Sequence, residues 1–179
     1  MAKKVIYLST ELMEHMCHRL AVTFFAHYQE PIPPFEDHDE KLLDSSINLP
    51  KATYGRKELY PNISTKAAVL FYSIIKNHPF RNGNKRMGTA ALLVFLYLNG
   101  YWIIDSKKGI YKQAVAVASS QSEDRDQILK HLEVWLRNHM TEVKKLRKRD
   151  IPLWLVDRTL HVLSDWIPRF WRRKKNPSN

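Results

Sequence analysis

The sequence predicts an all-α domain wrapped around one buried helix. Residues Met87 to Leu98 (MGTAALLVFLYL) are apolar on nearly every face, a pattern suited to the centre of a bundle rather than its surface. Elsewhere apolar residues recur at helical spacing, and Pro and Gly punctuate the runs. With 179 residues the chain is long enough for a single core, burying roughly 70% of its unfolded surface.

Ser9 or Thr10 can cap a first helix whose opening turns hold Glu11 and Glu14, and Pro31-Ile32-Pro33-Pro34 stops it. Leu12, Met16, Leu20 and Phe24 define its buried face. His15, His18 and His27 share this helix. His15 and His18 have a spacing that a metal could use, but no carboxylate or Cys completes a ligand set, so packing or surface roles are expected. Phe35 to Leu49 reads as an acidic loop with a short helix (EKLLDSS). A helix from about Asn62 to Asn77 follows, with Pro61 near a favourable first-turn position. Gly100 stops the central helix. Two more helices, about Lys107 to Ser120 and Asp124 to Met140, complete the domain, with Leu132 and Trp135 expected in its core.

The chemistry concentrates between two apolar helical stretches, in His78-Pro79-Phe80-Arg81-Asn82-Gly83-Asn84-Lys85-Arg86. The helix after this loop aims unpaired N–H groups and the positive end of its dipole into it, where an anion would satisfy them. Gly83 lets the backbone approach that anion, and Asn84 can tie the loop to its own neighbours. Lys85 and Arg86 lie at the wrong helix end for cations, which is understandable if something negative sits there. His78, on the rim, is the one side chain here whose ordinary pKa suits general-base work near neutrality. Base plus anion cradle implies phosphoryl or nucleotidyl transfer to a hydroxyl.

These residues resemble the signature of the Fic/Doc superfamily. AMP-transferring Fic members carry H-x-F-x-[D/E]-G-N-G-R-x-x-R, and the death-on-curing (Doc) branch carries H-x-F-x-D-[A/G]-N-K-R. The chain is similar to the Doc branch, with Lys85 where Fic enzymes have Gly and Thr89 where they have the second Arg. Pro50-Lys51-Ala52-Thr53-Tyr54-Gly55-Arg56-Lys57-Glu58-Leu59-Tyr60-Pro61, with Lys66-Ala67-Ala68 behind it, also resembles that branch, as does Asn99-Gly100-Tyr101. The resemblance covers roughly residues 5–140. It implies a helical bundle with a short β-hairpin flap over the active site, in which Thr53, Tyr54 and Gly55 hold the target segment by strand pairing.

The same resemblance implies ATP and Mg²⁺ as cofactors and assigns the site. His78 takes a proton from a Ser or Thr hydroxyl, while Phe80, Gly83, Asn84, Lys85 and Arg86 form the nucleotide and phosphate site. A Lys at position 85 and no Arg at 89 go with a reversed nucleotide, and so with a Doc-type protein kinase that moves the γ-phosphate to elongation factor Tu. AMP transfer by the same His78 chemistry is the alternative enzyme, and a weakly active or inactive Fic-fold binding module is the alternative from another class. One position departs from the pattern: Asn82 stands where the family places an acidic metal ligand, and a neutral carbonyl holds Mg²⁺ more weakly. Thr10-Glu11-Leu12-Met13-Glu14 loosely matches the inhibitory element of some Fic proteins but lacks its following Gly or Asn. The expected restraint is instead a separate antitoxin, as for Doc-type toxins.

Composition supports an intracellular reading. The single Cys17 leaves no partner for an internal disulfide and is expected to be a buried small residue. No apolar run reaches bilayer length, and MAKKVIYLST lacks a signal peptide's apolar core, so a cytoplasmic protein is expected. Residues 1–140 are read as the catalytic domain and 141–179 as a basic, aromatic-rich extension that carries more than half of the chain's net charge of +11. The extension opens on Lys144-Lys145-Leu146-Arg147-Lys148-Arg149, carries an apolar stripe (Leu160, Leu163, Ile167, Phe170, Trp171), and ends in Arg172-Arg173-Lys174-Lys175. This pattern suits three roles: an extra helix packed on the domain or on a second copy, attachment to an anionic membrane surface, and contact with RNA or another nucleic acid, the ribosome included.

Overall fold

The structure, a computed structural model, describes residues 4–24 and 31–146, without the side chains of Thr23 and Phe24. Ser9 opens the first helix, its hydroxyl accepting the Leu12 N–H at 3.2 Å. Helix α1 (Thr10–Leu12) runs through a π-helical segment, Met13–His18, into α2 (Arg19–Phe24). The 3.6-residue spacing of Leu12, Met16 and Leu20 predicts uninterrupted α-helix; the wider π turn instead brings Met13 and Cys17 inward beside Met16. Leu20 is buried and Leu12 half-buried, whereas Phe24's predicted place on this face and His27 lie outside the described residues. His18 bonds the Pro33 carbonyl at 2.8 Å and His15 meets the Glu11 carbonyl at 3.1 Å, so both rings serve local packing.

Asp39 caps α3 (Glu40–Asn48), accepting the Leu42 N–H at 2.9 Å. A 3-10 turn at Leu49–Lys51 leads to β1 (Thr53–Tyr54) and β2 (Lys57–Glu58), antiparallel with Thr53 opposite Glu58. Gly55 (φ 55) and Arg56 (φ 65) are both left-handed, the two-residue turn that matches strand twist. The expected short hairpin is present, and all four strand residues are exposed.

Helix α4 (Ile63–Asn77) begins one step later than Pro61 suggests. Pro61 precedes the cap, and Asn62 makes the start: its N–H donates to Thr65 Oγ1 at 3.1 Å, whose hydroxyl returns a bond to the Asn62 carbonyl at 2.8 Å. Helix α5 (Asn84–Leu98) is buried on every face from Met87 through Leu96, as its composition predicts. Helix α4 is almost as enclosed, from Lys66 through Ile75, so the centre of the bundle is a pair of helices. They touch at Gly88, where a Cβ would stand 2.8 Å from Ile75 Cγ1. Around the pair, α3 and α7 (Arg125–His139) pack on α4, while the π segment and α6 (Lys107–Ser119) pack on α5. Leu132 and Trp135 of α7 are buried as expected.

Asn99 and Gly100 (φ 84) end α5. The Asn99 amide accepts the Ile6 N–H at 2.9 Å and donates to the Ile6 carbonyl at 2.8 Å, clipping the start of the described chain onto the bundle. A second small sheet was not legible in the sequence: β3 (Tyr101–Ile103) pairs antiparallel with β4 (Met140–Glu142), Tyr101 opposite Glu142. This pairing carries the described body past residue 140, to Leu146. The expectations for Arg147 to Asn179 lie outside the described residues. No helix among the described residues is long and apolar enough to cross a membrane.

Candidate active site

Helix α4 ends at His78, whose φ of 51° and ψ of 51° are left-handed. A residue with a Cβ pays on the order of 1 kcal/mol for that conformation. Pro79 follows and cannot continue the helix. The turn leaves His78 exposed while Pro79 and Phe80 are buried. The Phe80 ring packs 5.9 Å from Phe35 and 6.0 Å from His38, and the Pro79 carbonyl accepts the Asp39 N–H at 2.7 Å. Sequence reasoning missed this anchorage to Phe35–Asp39. The available signal was a lone large apolar residue, Phe80, inside a polar loop.

Asn84, also buried, closes the loop from the other side. Its Oδ1 accepts the Phe80 N–H at 3.0 Å, and its Nδ2 donates to the Phe80 carbonyl at 2.6 Å. Those two bonds fix the amide's orientation, so the atom facing His78 Nδ1 at 3.4 Å is a donor. A neutral His78 ring therefore carries its lone pair on Nδ1 and its proton on Nε2.

Gly83 (φ 82) supplies the second left-handed turn; a Cβ there would stand 3.1 Å from Ile32 Cγ1 and 3.4 Å from Arg86 Nη2. The Arg86 guanidinium thus folds back over the loop. Lys85 is exposed and Arg86 half-buried. The first intrahelical bond of α5 runs from the Met87 N–H to the Gly83 carbonyl at 2.9 Å, so the Asn84 and Lys85 N–H groups have no acceptor within the helix. Two cations, backbone donors and a helix dipole converge beside an exposed imidazole.

The Fic/DOC family profile matches residues 6–96, just over half of the chain. The chain belongs to the Fic/DOC family. It is 42% identical over 62 residues to Toxin Doc of Mycolicibacterium smegmatis, across 35% of this chain and 48% of that protein. It thus spans about half the length of the curated relative it matches, and that likeness supports the Doc branch. No solved structure matches significantly.

Two further positions bear on what the loop can hold. Thr89 is buried and its hydroxyl donates to the Lys85 carbonyl at 2.8 Å, so it is spent inside the helix rather than offered to a ligand. Asn82 Oδ1 accepts the Gly83 N–H at 2.6 Å. Among the described residues no group of three or more His, Cys, Asp or Glu could hold a metal ion. A neutral, already engaged amide oxygen is a poor match for Mg²⁺, so the donors here do not fit a metal held by the protein itself.

The structure brings His78, Gly83, Asn84, Lys85 and Arg86 to one loop with Asn82. Phe80 joins them through its backbone, its side chain being core. Thr53, Tyr54 and Gly55 are exposed on the hairpin, whose Glu58 is tied to Lys66 at 3.2 Å. Lys66 lies about 18 Å from His78 along α4 at 1.5 Å per residue.

Proposed function

We propose that the chain is a Doc-like toxin that phosphorylates a translation elongation factor, held in check by a cognate antitoxin. The observation that carries this reading is the His78–Arg86 loop: an exposed imidazole joined through Asn84 to a helix N-terminus bearing Lys85 and Arg86. A Ser or Thr hydroxyl that displaces the long Asn84 contact meets the His78 Nδ1 lone pair. His78 takes the proton as the hydroxyl oxygen bonds the γ-phosphorus of ATP. The bond from that phosphorus to the bridging oxygen breaks, and ADP leaves. Lys85, Arg86 and the first-turn N–H groups stabilise the charge on the transferring group. The hairpin at Thr53, Tyr54 and Gly55 pairs with the target strand. The spent Thr89 hydroxyl favours γ-transfer over AMP transfer, because no second arginine clamps the terminal phosphates at that position. Mg²⁺ carried by the nucleotide would offset the charge of its phosphates.

The test supplies ATP labelled at the γ or the α position, with elongation factor Tu, to the wild type and to His78→Ala. Label from the γ position alone, abolished in the variant, is expected. Label from the α position would replace the reading with AMP transfer. Label that persists in His78→Ala would remove the imidazole from the chemistry.

A further inference from the structure

Lys66 sits near the N-terminus of α4, the helix end at which the dipole disfavours a cation, and its side chain is 1% exposed. A buried ammonium is tolerated only where partners replace its water, so its surroundings show what it holds. Three groups meet it. The Glu58 carboxylate lies 3.2 Å away, the Pro50 carbonyl accepts from Nζ at 3.3 Å, and the Tyr7 ring centroid is 5.4 Å from Nζ. Pro50 stands just before β1, and Glu58 is the last residue of β2. One buried side chain thus grips both roots of the hairpin.

Outside the hairpin its flanks are tied by Lys51 over the Tyr7 ring at 5.5 Å and by Arg125 donating to the Tyr60 hydroxyl at 3.1 Å, while the hairpin itself has few bonds of its own. Each strand is two residues long and all four residues are exposed; at the base the Leu59 N–H adds one bond to the Ala52 carbonyl at 2.9 Å. Two-stranded ribbons of this size are marginal by themselves. Glu58, half in solvent, is drawn down to a lysine that cannot leave the core, so the ammonium is the fixed member of the pair.

We infer that Lys66 is a positioning residue: by bridging Pro50 and Glu58 it sets how the Thr53–Glu58 hairpin projects, and through the hairpin how tightly a protein target is held. This rests on the reading of the hairpin as the target-holding flap. Lys66 itself touches neither target nor nucleotide. An apolar side chain of similar reach fills its space without gripping either root.

The test compares the full-length chain with Lys66→Met and, because a buried substitution can impair folding, with Glu58→Gln, which alters only the exposed partner. Amide hydrogen exchange across residues 52–59 is measured together with transfer from γ-labelled ATP to elongation factor Tu. Exchange in the hairpin is expected to speed up roughly ten-fold, and KM for the elongation factor to rise roughly ten-fold, with kcat and KM for ATP within about two-fold of wild type. Unchanged hairpin exchange overturns the inference, as does a parallel loss in kcat and in KM for ATP, which marks a merely structural lysine. If the wild type transfers no label, the proposed function fails. Hairpin exchange then decides the role of Lys66 alone: faster exchange supports it and unchanged exchange overturns it.

Discussion

At His78 the backbone is left-handed, the ring is exposed, and among the described residues a long contact to Asn84 orients it. Asn84 matters more than its position in a polar loop suggests, because both Phe80 backbone groups bond to its amide. Asn84→Ala leaves buried polar groups without partners and is expected to cost about 2 kcal/mol in denaturant titration. It should also lower kcat for transfer more than it raises KM for ATP. Gly83→Ala combines a positive φ with a Cβ 3.1 Å from Ile32; a loss of about 1–2 kcal/mol is expected by the same titration. Cys17 is fully enclosed, and burial pushes its thiol pKa up. The folded chain should therefore resist iodoacetamide at neutral pH and react once denaturant opens the core. The roles read for His78 and Gly83 follow from residue type and local order. Lys66 could not be placed that way, since its partners come from two other parts of the chain, Tyr7 near the start and Pro50 and Glu58 at the hairpin's roots.

Among the elements, the contact between α4 and α5 sets the geometry of the loop that joins them. Gly88 permits their close approach, and Gly88→Ala would press a Cβ against Ile75 at 2.8 Å. The expected cost is about 1–3 kcal/mol of overpacking, read from the denaturation midpoint. The β3–β4 pair has its own acid sensitivity. Hydrogen bonds from Lys144 and Lys145 hold the Glu142 carboxyl down to about 2, well below the usual carboxylate range. A depressed carboxylate stabilises the fold above its unfolded pKa and loses that contribution as pH falls toward its folded value. Acid titration between pH 4.5 and 2 should therefore loosen this pair in the wild type, and Glu142→Gln should remove that part of the transition. The effect should shrink in high salt, since these side chains face water. Helices with a strong apolar period were legible at this scale. The π segment was not, because one extra residue in a turn leaves a sequence period almost unchanged.

Over the whole molecule, the described body closes only when β4 returns to β3, so residues 140–142 belong to the same packing unit as Tyr101–Ile103. A chain ended at Leu146 is expected to keep that pairing, whereas one ended at His139 should melt several degrees lower in a thermal scan. The all-helical class, the buried α5 and the His78–Arg86 loop as one contiguous candidate site were legible along the chain alone. Those features depend on near neighbours: an apolar run, a cap, a glycine, a histidine beside an asparagine. The near-equal enclosure of α4, the anchoring of Pro79 and Phe80 by Phe35–Asp39, the grip of Lys66 on the hairpin's roots and the pairing of β3 with β4 came only with the packed fold. These contacts join separate elements of the chain, and burial supplies the free energy for them only after the helices have packed.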